Sequence, residues 1–238
     1  MSFLITYPEN KVEKKLREKL SQITQVFYCP LRKLQSISLD NKSLKEIRRA
    51  DYFVITSPFA ARAYNQKIQA LNTKAKVVVL SKKMAAKLKK EKSQVLIAKF
   101  ENQNGVNNLL KNIISDQDVI WLSGNLSAKN DSMPKGVKKV KIYENVWNEK
   151  LESRVLEKIS NQNINRILVT SPSSFKRLRK IEKKLPKVFL SPTYYTLGKH
   201  TASIIRKDFV KVISPENLHN VLNQMLIKMY KDELDYLG

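Results

Sequence analysis

An internal repeat is the feature that most restricts what this chain of 238 residues can fold into. An apolar run followed by Thr-Ser-Pro occurs twice, and Ser171 of the second copy lies 114 residues after Ser57 of the first. A second pair of motifs, at 80–85 and 197–202, has nearly the same separation, and Glu-Asn recurs at a similar distance further along both halves. Landmarks that keep one order and nearly one spacing indicate two homologous halves, each folding as a similar unit.

Short apolar runs alternate with amphipathic helical patterns along both halves. Such runs, bounded by turn residues, are typical of strands that are buried on both faces of a parallel sheet. They predict strands at 3–6, 25–28, 52–56, 77–80, 95–98, 119–122, 137–146, 167–170, 188–190, 194–197 and 209–213. The patterns between them predict helices at 8–23, 42–50, 59–71, 82–90, 106–114, 147–159, 174–185, from 200 onward and at 219–237. We therefore predict an α/β fold with two similar domains, in which parallel sheets are flanked by helices.

The two halves differ in one respect that determines the domain boundaries. The second half lacks the strand, helix and strand with which the chain begins, and two segments, 29–36 and 141–147, flank the central part as possible crossings. This asymmetry predicts a discontinuous domain of residues 1–32 and 148–238, into which 33–147 is inserted as the second domain. The crossing segments are expected to pair as a ladder and to act as a two-segment hinge, with a cleft between the domains.

The charge of the chain restricts its ligands. It contains 45 Lys and Arg against 21 Asp and Glu, a net charge of +24, which predicts affinity for nucleic acid, an acidic membrane or a small, multiply charged substrate. A single cysteine excludes an intramolecular disulfide and suits a reducing compartment. No apolar run approaches the roughly 20 residues of a membrane-spanning helix, and the N-terminus lacks a signal-peptide core. The expectation is a soluble, cytoplasmic protein without a membrane partner.

Basic residues are concentrated in two regions related by the repeat. In the first half they are Lys74, Lys76, Lys82, Lys83, Lys87, Lys89, Lys90 and Lys92. In the second half they are Lys176, Arg177, Arg179, Lys180, Lys183, Lys184 and Lys187. These clusters fit two basic lobes around one acidic molecule, and they equally fit solvated helix faces. Aromatic residues are not interleaved with them and no nucleic-acid-binding motif is present, so nucleic acid is not the expected partner. A non-catalytic RNA-binding protein remains the alternative, on net charge alone.

Two turns in the second half are typical of anion binding. Thr170–Ser174 follows a predicted strand and precedes a helix, which places its hydroxyl groups at the carboxyl edge of the sheet, where open α/β sheets bind ligands. Free backbone N–H groups at a helix start favour a carboxylate or a phosphate. Capping of the helix by Ser173 or Ser174 is the purely structural alternative. Gly198 and Thr201 begin the next helix in the same way, and glycine allows close approach of a ligand to the backbone.

Other chemistry finds little support in the sequence. Two histidines and one cysteine provide no metal-ligand set with a familiar spacing, so a metal site is not expected. Cys29 has no obvious catalytic partner, and no acid is placed near His200 to make it a proton carrier. The residues themselves therefore predict an anion-binding site that holds its ligand by many ordinary polar contacts.

The order of these motifs resembles the uroporphyrinogen-III synthase family over essentially the whole chain. The resemblance rests on the strand with Thr-Ser-Pro, on Leu-Gly-Lys-His-Thr-Ala, and on Pro-Glu-Asn-Leu before the final helix, while Lys141–Glu144 is similar to the valine-tyrosine step of the family. It implies a cofactor-free, monomeric lyase whose substrate is hydroxymethylbilane, an anionic linear tetrapyrrole with eight carboxylates. Such an enzyme removes the hydroxyl group, inverts ring D and closes the macrocycle to uroporphyrinogen III, which feeds heme, siroheme or cobalamin synthesis.

By position, the resemblance implies that Tyr143 assists departure of the hydroxyl group, and an aromatic that only packs at the hinge is the alternative. It implies substrate contacts from Thr56, Ser57, Ser171, Ser173, Gly198 and Thr201. Three positions depart from the family pattern. Tyr7 stands where many members have arginine, and Ser81 and Met84 replace a glycine and a threonine of the first-half motif. These departures predict weaker anchoring of substrate by the inserted domain, with the second half doing most of the holding.

Overall fold

The computed structural model of the protein describes residues 1–126, 133–217 and 219–237. The chain divides into two compact units. Unit 1 consists of Met1–Lys33 and Trp147–Gly238, and unit 2 consists of Leu34–Val146.

Strands and helices alternate along both units. The strands are β1 (Ser2–Ile5), β2 (Gln25–Tyr28), β3 (Lys33–Ser36), β4 (Tyr52–Ile55), β5 (Lys76–Val79), β6 (Val95–Ile97), β7 (Val119–Gly124), β8 (Lys138–Val146), β9 (Ile164–Val169), β10 (Thr193–Thr196) and β11 (Val212–Ile213). The helices are α1 (Lys14–Ile23), α2 (Asn41–Arg49), α3 (Pro58–Ala63), α4 (Lys82–Ala85), α5 (Gln103–Lys111), α6 (Glu149–Ile159), α7 (Pro172–Lys184), α8 (Lys199–Arg206) and α9 (Val221–Leu237). Among the helices that the structure describes, none combines the length and the apolar character needed to cross a membrane.

The sheet of unit 1 has the strand order β11-β10-β9-β1-β2, and its neighbouring strands pair in parallel. Side chains alternate between its faces, so that Leu4 packs in the core formed with α6, α7 and α8, whereas Phe3 and Ile5 pack in the core formed with α1 and α9. Because helices cover both faces, β1 is apolar at every position from Phe3 to Ile5, and burial of each such side chain contributes roughly 1.5–3 kcal/mol.

The sheet of unit 2 has the order β3-β8-β7-β4-β5-β6. Phe53 and Ile55 pack in a core with α2, α3 and α4, while Val54 packs on the other face in a core with α5. Strand β3 is hydrogen-bonded to β8, which confirms the predicted pairing of these two segments, and the N–H of Ile37 extends the pairing by donating to the carbonyl of Ile142 at 3.2 Å. Both units thus confirm the predicted α/β fold with parallel sheets flanked by helices.

The helix predicted at 82–90 is wrong beyond Ala85. The side chain of Asn65 binds the backbone on both sides of Leu88, because its Nδ2 donates to the carbonyl of Lys87 at 2.7 Å and its Oδ1 accepts from the N–H of Lys89 at 3.1 Å. In a continued helix the N–H of Lys89 would donate to the carbonyl of Ala85. It donates to Asn65 instead, so the segment leaves the helical path.

Further elements differ from the sequence-based expectation, among them the helix predicted at 8–23, which is a 3-10 turn at Glu9–Lys11 followed by α1 from Lys14. The strand predicted at 188–190 is a 3-10 turn at Pro186–Val188, and the strand predicted at 209–213 is reduced to Val212–Ile213. Phe209 instead ends the turn after α8, with its N–H donating to the carbonyl of Arg206 and its φ at 56°. The α-helix predicted at 59–71 ends at Ala63. The chain then forms a π-helical turn at Tyr64–Ile68 and a 3-10 turn at Gln69–Leu71.

Candidate functional site

The turn between β9 and α7 concentrates hydroxyl groups at the carboxyl edge of the unit 1 sheet. Ser171 caps α7, because its Oγ accepts from the N–H of Ser174 at 3.2 Å, and Pro172 follows in the first turn, where its missing N–H is not needed. The alternative in which Ser173 or Ser174 caps the helix is therefore wrong. Their hydroxyl oxygens lie 3.1 and 2.9 Å from Ser171 Oγ, so the three serines form one hydrogen-bonded group.

Thr6 belongs to the same edge, and sequence reasoning missed it. It directly follows β1, is 1% exposed, and its Oγ1 accepts from the N–H of Thr170 at 3.1 Å. Its place in the sequence could have indicated it, because Thr6 comes immediately after a buried strand, as Thr56 and Thr170 do.

The start of α8 offers backbone N–H groups without competition from a side chain. Gly198 is the N-cap residue in extended conformation, and among the described residues no side chain caps this helix. A Cβ built on Gly198 would meet no atom within 4 Å, so the space in front of the helix is open. Thr201 lies buried in the first turn, with 7% of its surface exposed. The arrangement suits an anion placed against the first N–H groups of α8.

Unit 2 builds the equivalent turns differently. Ser57 caps α3 by accepting from the N–H of Ala60 at 3.1 Å, as Ser171 does for α7. Thr56 Oγ1 accepts from the indole Nε1 of Trp121 at 3.2 Å. Ser81 occupies the position that corresponds to Gly198, and its Oγ accepts from the N–H of Met84 at 3.3 Å. At the start of α4 the N–H of Met84 therefore has a side-chain acceptor in Ser81. No described side chain caps α8 in the corresponding way.

Tyr143 and Ser57 meet at the carboxyl end of the unit 2 sheet. Tyr143 lies on β8, and its phenol oxygen is 3.1 Å from Ser57 Oγ. The ring packs on Phe59, with the centroids 5.0 Å apart. The structure thus brings together two of the predicted site residues, a possible catalyst and a possible contact. The phenol thus has a polar partner in addition to the packing contact of its ring.

Gly124 creates the space for this tyrosine. The register of β7 and β8 shifts after Ser123, which places Gly124 opposite Tyr143. A Cβ built on Gly124 would lie 2.4 Å from Cε2 of the Tyr143 ring, far inside van der Waals contact. Sequence reasoning did not single out this glycine, because the ring it accommodates comes from another strand.

Replacing Gly124 with alanine is therefore expected to displace the Tyr143 ring. The overpacking should destabilise the protein by about 1–3 kcal/mol. Thermal unfolding measures this loss of stability. Gly198→Ala is the matched control for stability, since its Cβ meets nothing. Equal melting temperatures for the two variants would contradict the packing argument.

Some members of the basic clusters have structural partners. Arg177 donates to the carbonyl of Leu31 at 2.5 Å, and its guanidinium lies 5.4 Å from the ring centroid of Trp147. Lys184 pairs with Glu152 at 2.5 Å, and this bond lowers the pKa of the Glu152 carboxyl. Arg179 likewise pairs with Glu182 and with Asp208. The second-half cluster is thus partly used to hold unit 1 together.

Other catalytic groups are scarce in the part of the chain that the structure describes. Burial raises the pKa of the Cys29 thiol to about 11, so this cysteine is protonated and unreactive at neutral pH. Within residues 1–126, 133–217 and 219–237, no three His, Cys, Asp or Glu side chains are grouped so as to hold a metal ion.

Comparison with known proteins identifies the family. A family model described as uroporphyrinogen-III synthase HemD matches residues 14–220. A crystal structure of a mutant uroporphyrinogen III synthase from the extremely thermophilic bacterium Thermus thermophilus is 13% identical, with 99% of each chain covered and a TM-score of 0.63. Uroporphyrinogen-III synthetase from Helicobacter pylori is 11% identical, with 97% of this chain and 98% of that chain covered and a TM-score of 0.57. No curated protein sequence matches this one significantly. The structures share the fold, and because the family model spans most of the sequence, the chain belongs to the uroporphyrinogen-III synthase family, whose members are lyases that cyclise hydroxymethylbilane.

Proposed function

We propose that this chain cyclises hydroxymethylbilane to uroporphyrinogen III, with Tyr143 as the catalytic residue. The observation that carries the assignment of Tyr143 is the position of its phenol oxygen, 3.1 Å from Ser57 Oγ. The ring can occupy this position because Gly124, which lies against it, has no side chain. A phenol fixed in this way has a defined direction in which to donate its proton.

Unit 1 supplies the contacts to substrate carboxylates in this proposal. The turn at Ser171–Ser174 offers hydroxyl groups, and the start of α8 at Gly198 offers free N–H groups. Each such interaction with a carboxylate at a helix start is worth roughly 0.3–1 kcal/mol, so binding depends on many of them together. We propose Ser171, Ser173, Gly198 and Thr201 as contacts in unit 1, and Thr56 and Ser57 as contacts in unit 2.

The proposed reaction starts with cleavage of the carbon–oxygen bond of the hydroxymethyl group. Tyr143 donates its phenol proton to the departing oxygen, which leaves as water, and the substrate becomes an azafulvene-type cation. The substituted carbon of ring D attacks this cation to give a spiro intermediate. The bond between that carbon and its original methylene bridge then breaks, which releases ring D for inversion and leaves a second azafulvene-type cation on the ring that carries this bridge. The unsubstituted carbon of ring D attacks the second cation to form the final carbon–carbon bond, and the proton that this carbon loses restores the phenol. Water is thus the only by-product.

Positioning accounts for the rest of the catalysis in this proposal. The cation closes without any enzyme to the type I isomer, so the protein has to hold the chain in the conformation that leads to inversion. Several fixed carboxylate contacts provide such control, because holding reacting atoms in near-attack geometry removes much of the entropic cost of the reaction.

An isomer analysis tests the proposed function. Freshly prepared hydroxymethylbilane is incubated with the protein, and the oxidised porphyrins are separated by isomer. We expect the type III isomer in excess over a protein-free control. If only the type I isomer forms, at the spontaneous rate, the chain is not a synthase. Protein dialysed against a chelator enters the same assay and should retain full activity, because the proposed chemistry needs no cofactor.

We further propose that the protein acts as a monomer in the cytoplasm. A net charge of +24 supports the monomer, because copies of the chain repel one another at long range. A single, buried cysteine supports a reducing compartment.

A further inference from the structure

Two threonines from distant parts of the sequence are locked together at the edge of the unit 1 sheet. Thr6 follows β1 and Thr170 follows β9, and these strands are parallel neighbours. The N–H of Thr170 donates to Thr6 Oγ1 at 3.1 Å, and the hydroxyl of Thr170 donates to the backbone carbonyl of Thr6 at 3.2 Å. The N–H of Thr6 donates to the carbonyl of Leu168 at 2.9 Å. This bond continues the pairing of β1 with β9 up to the two threonines.

This pair forms the inner end of a chain of hydroxyl groups. The hydroxyl of Thr170 donates to Thr6, so its oxygen is left to accept from Ser174, whose Oγ lies 3.3 Å away. Ser174 lies 2.9 Å from Ser171 Oγ, and Ser171 lies 3.1 Å from Ser173 Oγ. Because each hydroxyl has one proton, Ser174 donates to Thr170, Ser171 to Ser174 and Ser173 to Ser171. Ser173 is the outer end of the chain, where its proton can turn from Ser171 to a carboxylate without breaking the inner bonds.

We propose that Thr6 is a positioning residue for substrate binding, which holds the Ser171–Ser174 turn, through Thr170, in the place where Ser173 at its outer end meets a carboxylate of the tetrapyrrole. The inference rests on the proposed function. It adds a residue that does not touch the substrate, since Thr6 is 1% exposed and acts through Thr170.

The hydroxyl group of Thr6 distinguishes a positioning role from simple packing, because packing would need only the shape of the side chain. Its methyl group and its hydroxyl are equally buried, and the hydroxyl oxygen is the acceptor for the backbone N–H that immediately precedes the serine turn. Valine has nearly the same shape without that acceptor. The substitution Thr6→Val therefore removes the acceptor for the N–H of Thr170, keeps the bond from the Thr170 hydroxyl to the backbone carbonyl of Thr6, and leaves the volume of the core nearly unchanged.

The test compares three variants in the isomer-resolved assay, at a temperature well below the melting point of each. Thr6→Val is expected to raise KM for hydroxymethylbilane roughly five- to tenfold, the effect of one lost hydrogen bond, with kcat within about twofold of the wild type. Thr6→Ser keeps the acceptor and should restore KM to within about twofold. Thr193→Val is the matched control, because Thr193 is a buried threonine at the start of β10, the opposite end of the strands, and its KM should stay unchanged.

The outcomes separate this inference from the proposed function. If the wild type makes type III product but Thr6→Val keeps the wild-type KM, the positioning role is wrong and the function stands. Equal rises of KM in Thr6→Val, Thr6→Ser and Thr193→Val would mean that these residues only stabilise unit 1, and this also overturns the inference. A wild type that makes no type III product rejects the function itself.

Discussion

Replacing Tyr143 with phenylalanine is expected to lower kcat for uroporphyrinogen III formation about 100-fold, within the range that a general acid contributes. Only the phenol hydroxyl is removed. The ring keeps its packing on Phe59, with the centroids 5.0 Å apart, and Ser57 keeps its bond to the N–H of Ala60, so α3 remains capped. We therefore expect an unchanged melting temperature and a reduced rate, measured as initial formation of the type III isomer.

Tyr64→Phe is the matched control for this variant. Tyr64 is a buried tyrosine of the same unit, and its hydroxyl oxygen has no hydrogen-bond partner among the described residues. Burial raises its pKa to about 12, so the group carries no charge at neutral pH. Removing a buried, unpaired hydroxyl should leave activity unchanged and keep or raise the melting temperature. An unchanged rate in Tyr143→Phe would reduce Tyr143 to a packing residue, whereas equal losses in both variants would indicate a general effect on the fold.

Replacing Glu233 with alanine is expected to destabilise unit 1 by about 3–5 kcal/mol, because it leaves a buried arginine without its counter-charge. Arg166 on β9 and Glu233 on α9 pair at 2.7 Å, with side chains that are 10% and 2% exposed. Asn165 also donates to Glu233, at 3.1 Å. Beside the pair, the hydroxyl of Tyr195 donates to Asp232 at 2.7 Å, and burial together with this carboxylate raises the pKa of Tyr195.

A double variant distinguishes loss of the pair from loss of packing. Arg166→Leu combined with Glu233→Leu removes both charges and should recover most of the stability, since apolar replacements of buried ion pairs are often neutral or stabilising. Glu18→Ala serves as the control, because Glu18 is 58% exposed in a surface pair with Lys14 and should leave the melting temperature unchanged. Thermal unfolding followed by circular dichroism measures all three. A loss in the double variant as large as in Glu233→Ala would show that the glutamate stabilises by its contacts and not by its charge.

The sequence predicted the architecture because the repeat and the apolar runs depend on burial, which acts on whole segments. It predicted the turns of the site for the same reason, since a strand followed by hydroxyl residues and a helix fixes their edge of the sheet. It failed where one side chain or backbone group decides a conformation from far along the chain. Asn65 ends the helix after Ala85, the ring of Tyr143 requires Gly124, and Thr6 bonds a residue 164 positions away.

The serine at position 81 has a consequence for how the two halves of the repeat have diverged. Its hydroxyl satisfies a helix donor that glycine at position 198 leaves open. A single hydroxymethyl group is thus enough to complete the first turn of α4 from within the chain, whereas no described side chain does this for α8. The two halves of the repeat therefore differ in what an external acceptor can find at these corresponding helix starts. At α4 it has to displace a side chain of the protein, and at α8 it does not.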